Sequence, residues 1–178
     1  MMNNFRVKII RLRLQLLTLI FFSVAASAQS TKELKGIFAQ AETYYLYEEY
    51  DLANQLYILM ENPQNLNVSY KIGTCYLNIP DEKEKAITYL ETSVKNAVID
   101  SKTGSFKEKR APLDAYFYLA KAYMINNNLE KSLNTFKTFS NLARDVEAKG
   151  KIENLDFVDQ QIMACNNAIE FEKNPILF

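Results

Sequence analysis

The segment YFYLAKAYMINNNLEKSLNTFKTF, from Tyr116 to Phe139, restricts the architecture more than any other stretch of the chain. Tyr116, Leu119, Ala120 and Tyr123 fall at helical spacing on one stripe, and Ser132, Phe136 and Phe139 form a second. Between them lies Asn126-Asn127-Asn128, whose side chains compete for main-chain hydrogen bonds and tolerate left-handed backbone, so the run interrupts a helix. The pattern predicts a helix, a tight turn and a second helix. Ala120 and Ser132 are small where the two helices approach, and the aromatics fill the space beside them. Only four glycines and four prolines occur in 178 residues, too few for the turns of an all-β chain, while 48% hydrophobic content supplies a core. One all-α domain is expected.

The same register recurs upstream. Ala41 and Tyr44 precede a turn near Glu48-Glu49, after which come Ala53, Tyr57 and Met60, and Asn62-Pro63 closes the pair. Ile72, Gly73 and Tyr76 then repeat the first half, followed by Ala86 and Leu90. This second unit has Ser69 where the others have Ile37 and Tyr116, and one extra residue in its turn, where Pro80 is expected to open the second helix. Periodicity lapses from 98 to 111, a lysine-rich stretch read as a solvated loop with a binding element as the alternative. The third pair should run on to a stop at Gly150. A final helix, from about Lys151 to Phe171, carries Leu155, Val158, Ile162, Cys165 and Ile169 on one stripe and is expected to cap the array.

An aromatic, a Leu-Gly/Ala step, a Tyr and then a small residue and a Phe, in that spacing, resemble the tetratricopeptide repeat. The resemblance implies a right-handed helical solenoid of three helix pairs (about 34–62, 66–97 and 112–149) plus a cap at 151–171, within a domain spanning 29–173 and a short tail at 174–178. Such a solenoid is concave along the first helix of each pair. With Ala41, Gly73 and Ala120 equivalent, Phe38, Tyr70 and Phe117 stand three residues before each marker. Glu42, Thr74 and Lys121 follow by one residue, and Tyr45, Leu77 and Met124 by four. Asn67 and Asp114 share a position as well. Phe38, Glu42, Tyr45, Asn67, Tyr70, Thr74, Asp114, Phe117, Lys121 and Met124 are therefore the expected groove for a peptide or protein segment, with an aromatic floor. The competing reading is that these aromatics pack against one another or beneath the cap.

Residues 1 to 28 carry Arg6, Lys8, Arg11 and Arg13, an apolar run from Leu14 to Val24, and Ala26-Ser27-Ala28. That order predicts a cleaved secretory signal peptide ending at Ala28, an uncleaved anchor being the alternative, and hence a periplasmic or outer-membrane-associated chain with no membrane span after cleavage. Removing those four cations from the 21 basic residues leaves 17 against 21 acidic ones, a balance unsuited to nucleic acid. Export makes a disulfide chemically accessible to Cys75 and Cys165, but both lie on apolar stripes, which favours buried thiols.

The absence of histidine excludes Ser-His-Asp and Cys-His nucleophiles and most zinc sites. Acid clusters such as Glu48-Glu49-Asp51 and Asp81-Glu82-Glu84 fall at turns and helix starts, where hydration and the helix dipole favour them. No cofactor, metal site or catalytic residue is expected, and a carboxylate-based enzyme is the distant alternative.

Three longer runs, GTCYLNIPDEKEKAITYLE, APLDAYFYLAKAYMINNNLEKSLNTF and QQIMACNNAIE, resemble the N-terminal helical region of a family of Gram-negative envelope proteins. In that family tetratricopeptide repeats precede β-propeller-type repeats and an OmpA-like peptidoglycan-binding domain, and its members are linked to type IX secretion and gliding. The resemblance implies a scaffold for other envelope proteins, with peptidoglycan reached only through a domain outside this sequence. A periplasmic chaperone for secreted cargo is the nearest alternative.

Overall fold

The structure, a computed structural model, describes residues 30–147 and 155–174. The expected leader at 1–28, the stop at Gly150, the start of the cap at 151–154 and the end of the tail lie outside them. The chain divides into two units, Met1–Ile37 and Phe38–Phe178. Of the first, residues 30–37 are helical and form the opening turns of α1.

The described residues are all-helical. Helix α1 spans 30–46, α2 Tyr50–Ile58, α3 Leu66–Asn78, α4 Lys85–Ser93, α5 Ala115–Ile125, α6 Leu129–Glu147 and α7 Asp156–Lys173, with one 3₁₀ turn at Val94–Asn96. An isolated parallel bridge joins Val98 to Pro112. From α2 onward each helix packs against the next along the chain, and α3 also touches α5. None of these helices is long and apolar enough to cross a membrane.

The turns within the pairs share one device. Glu48, Asp81 and Asn127 are left-handed, with φ of 61°, 60° and 56°. After α1, Glu49 N–H donates to Tyr44 O at 2.9 Å and Glu48 N–H to Tyr45 O at 3.2 Å. After α5, Asn128 N–H donates to Tyr123 O at 2.8 Å and Asn127 N–H to Met124 O at 3.1 Å. Both are Schellman closures, which satisfy the last carbonyls of a helix by turning one residue left-handed. The extra residue in the middle pair moves its left-handed position to Asp81. Pro80 therefore does not open α4, as its sequence position suggested: it belongs to the turn, and the helix begins five residues later at Lys85. Likewise α7 begins at Asp156, with Asp156 and Asp159 in its first turn, where acids suit the helix dipole.

Helix approach follows the small residues. Ala41, Ala53, Gly73, Ala86, Ala120 and Ser132 are all buried. A Cβ on Gly73 would lie 2.6 Å from Leu90 Cγ, so only hydrogen fits between α3 and α4 there. Ser132 Oγ–H donates to Ala120 O at 2.8 Å, a bond that ties α6 to α5 where an alanine would merely pack. Among the described residues two clusters make the core. One centres on Tyr57, Ile72 and Leu90, the other on Phe136, Val158 and Cys165. Helix α5 serves both, with Leu119 and Tyr123 in the first and Ala120, next to Leu113 of the preceding turn, in the second, which is why it is apolar on nearly every side. Leu155, Val158, Cys165 and Ile169 of the predicted stripe are buried with Phe136 and Phe139 of α6 in the second cluster, and Ile162 is partly buried beside them. Cys75 and Cys165 are free thiols, both buried.

Candidate functional site

Helices α1, α3 and α5 bring the predicted residues other than Met124 onto one face linked by ring and polar contacts, although its floor is not open. Phe38 is only 3% exposed, set edge-on to Tyr57 and to Phe106 of the 98–111 loop. Tyr70 is buried against Tyr118 at 5.9 Å between ring centroids. Phe117 is half-buried, 5.6 Å from Phe136 and 5.4 Å from Phe157 of α7. These rings bury one another because each is larger than the gap between neighbouring helices. Met124 turns away toward α7, with its sulfur 3.9 Å from Cys165 Sγ.

Polar rungs cross between α1 and α3. Lys71, 4% exposed, sets its ammonium 3.0 Å from Glu42 Oε1 and 4.1 Å from the centre of the Tyr45 ring. Glu42 also accepts from the Tyr57 hydroxyl. Tyr45 O–H donates to Thr74 Oγ1 at 3.1 Å, and Thr74 in turn donates to Lys71 O at 3.0 Å. A cation so enclosed requires a carboxylate and a ring face, since its desolvation would otherwise outweigh any packing it provides. Burial pushes the Tyr45, Tyr57 and Tyr70 phenols well above their ordinary range, so all three remain neutral hydrogen-bonding groups. Burial also raises the Cys75 thiol to about 12 despite nearby Lys71.

Further along, Asp114 and Lys121 flank the aromatic end of the face. The Asp114 residue is exposed, yet the protein packed around its carboxyl raises its pKa by desolvation. Lys121 stands 5.9 Å from the centres of both Phe117 and Tyr118. With half-exposed Phe157, these groups form the accessible aromatic part of the face.

The other end is covered by the loop. Asn67 Nδ2 donates to Thr103 O at 2.9 Å, Asn67 N–H donates to Lys109 O at 3.1 Å, and Phe106 joins the core beside Phe38. The loop is thus docked rather than merely solvated. Its lysines suggested solvent, but its main-chain carbonyls and a single aromatic face inward. Lys71, Tyr57, Tyr118, Thr103 and Phe106 were not among the predicted site residues. Repeat register ranks apolar positions and carries no signal for a buried lysine or a docking carbonyl, although Lys71 does lie two residues before Gly73, on the same helix.

Among the described residues no group of histidine, cysteine or acidic side chains is arranged to hold a metal ion. The carboxylates with close partners on or beside this face serve as structural acceptors, Glu42 for Lys71 and Tyr57 and Glu108 for the loop. The arrangement suits recognition of another chain by ring faces and hydrogen-bonding side chains. No protein-family model matches the sequence, and no match to a curated protein was found.

Proposed function

We propose that this chain is a non-catalytic adaptor of the bacterial cell envelope, a tetratricopeptide-type solenoid that holds partner proteins along the face of α1, α3 and α5. The observation that carries the reading is the threefold register. Small residues recur at Ala41 and Ala53, Gly73 and Ala86, and Ala120 and Ser132, each pair separated by a turn with one left-handed residue. A repeat that places its first helices side by side builds an extended recognition surface, and surfaces of that kind bind peptide or protein segments rather than enclose a small substrate. The leader-like segment at 1–28 supports export to the periplasm. The long runs quoted above support a role among secretion or outer-membrane components.

The test uses the chain as bait against envelope extract. A discrete, stoichiometric partner set is expected, lost from a Lys121→Glu variant that unfolds thermally like the parent. Retention of many unfolded clients would instead identify a chaperone. Turnover of a substrate abolished by one carboxylate substitution would overturn the non-catalytic reading.

A further inference from the structure

The 98–111 loop occupies part of the face that the repeat register assigns to binding. Its two ends are pinned together: Val98 N–H donates to Ala111 O at 2.9 Å, and Leu113 N–H to Val98 O at 3.0 Å. From that base the chain crosses to α3 and α1. Thr103 and Lys109 present main-chain carbonyls to Asn67, Phe106 sets its ring 5.8 Å from that of Phe38, and Gly104 is so close to Glu42 that an added Cβ would stand 3.5 Å from Oε2. A segment that supplies carbonyls to an asparagine and one aromatic ring to an apolar recess, though folded through turns at 103–104 and 106–107, makes the contacts a bound peptide would make.

The fit is incomplete in an informative way. Asn67 is fully buried, and its Oδ1 has no hydrogen-bond partner. The loop satisfies the amide's donor and leaves its acceptor empty, which costs the desolvation of a carbonyl group. An extended peptide can offer a C=O and an N–H to one amide and so satisfy both. The loop is also lightly held. It contains no helix, Phe106 is only half-buried, and Lys102, Lys107, Lys109 and Arg110 are exposed. Its own order centres on one side chain, Glu108, which accepts from the N–H groups of Lys102, Lys109 and Arg110 and from the Arg110 guanidinium.

We propose that the 98–111 loop is a displaceable internal ligand, and that the partner that replaces it is an extended peptide segment bearing an aromatic side chain, which takes the Phe106 position beside Phe38 and pairs both polar atoms of the Asn67 amide. The inference rests on the adaptor reading of this face and adds the kind of segment it takes and what guards it.

The experiment replaces residues 99–110 with a short Gly-Ser linker, which the Val98 and Ala111 contact allows, and adds the excised sequence IDSKTGSFKEKR as a synthetic peptide. The loop-replaced chain should bind the peptide in trans, and a peptide with Phe106→Ala should bind about tenfold more weakly, the usual effect of truncating an aromatic anchor. The intact chain should bind the same peptide at least about tenfold more weakly than the loop-replaced chain, because its own loop competes at high effective concentration. A folded loop-replaced chain that does not bind the peptide overturns the proposal, as does equal binding by the intact chain. Should the replacement fail to fold, amide hydrogen exchange in the intact chain decides. Phe106→Ala should accelerate exchange at Asn67 by about tenfold or more while Ile72 and Leu90 stay unchanged. Exchange at Asn67 as slow as at Ile72 in both chains would mean that the loop never leaves. Peptide binding without any captured envelope partner would keep this inference and remove the adaptor reading instead.

Discussion

Replacing Gly73 by alanine tests the packing on which the repeat register depends. In an isolated helix the change would help by about 1 kcal/mol, because glycine is a poor helix former. Here the new Cβ would stand 2.6 Å from Leu90 Cγ and 2.9 Å from Cδ2, against an ordinary carbon contact of about 3.5–4.0 Å. Leu90 is fully buried, and its main-chain nitrogen at 3.3 Å limits how far α4 can slide. Overpacking of this kind costs about 1–3 kcal/mol, which against the propensity gain leaves a net loss of up to about 2 kcal/mol. Gly36 supplies the control: it is helical too, with no atom within 4 Å of its added Cβ, so Gly36→Ala should stabilise the chain by up to about 1 kcal/mol. Thermal unfolding followed by circular dichroism should place Gly73→Ala below the parent, by up to about 6 °C, and Gly36→Ala at or above it. In a Leu90→Ala background the sign should reverse, because the Cβ then fills part of the vacated space. If Gly73→Ala proves as stable as Gly36→Ala, the close approach of α3 and α4 is not what keeps glycine at this position.

Glu42→Gln should destabilise the chain by about 3 kcal/mol by leaving the Lys71 ammonium, whose side chain is 5% exposed, without its carboxylate, and adding Lys71→Met should recover most of that loss in urea denaturation; a single-variant effect below about 0.5 kcal/mol would refute the pairing. Arg110 and the surrounding main-chain N–H groups hold the Glu108 carboxyl well below its ordinary value of 4.5, so its contribution to loop order is complete above that value and is lost as the pH falls from there through the lowered pKa. Amide protection at Lys102, Lys109 and Arg110 should fall over that acid range, and Glu108→Gln should abolish it at neutral pH; unchanged protection in the variant would contradict the hub role. Cys75, buried and raised to about 12, should react with a disulfide reagent at pH ~8 only as fast as the core opens, whereas in denaturant it should react at once; rapid labelling of the native chain at Cys75 would disprove that burial.

Much of the helical framework was legible because it rests on local rules. Stripes at 3.6-residue spacing located the helices, Asn126-Asn127-Asn128 marked a turn whose middle residue is indeed left-handed, and small residues identified where helices cross. Pro80 misled because proline suits both a first helical turn and a β-turn, and the extra residue in that connection decided between them. The candidate face was legible only in part. Phe38, Tyr70 and Phe117 were placed on it by register, but register cannot say how far neighbouring rings fill the space between them.

What the sequence determined by itself is the periodic part: where the helices run, apart from the start of α4, and which residues are small at a crossing. Each of these depends on neighbours within about one or two helical turns. Only the tertiary structure decided which polar groups meet. Glu42 and Lys71 are 29 residues apart, Tyr45 and Thr74 likewise, and Asn67 finds Thr103 across 36. Such pairs carry no period, because they arise from the lateral offset of one helix against the next and from the path of a loop. The face is therefore a product of tertiary packing laid over a local code, with the helices set by spacing and the 98–111 loop set by the carbonyls and the ring that α1 and α3 hold in place.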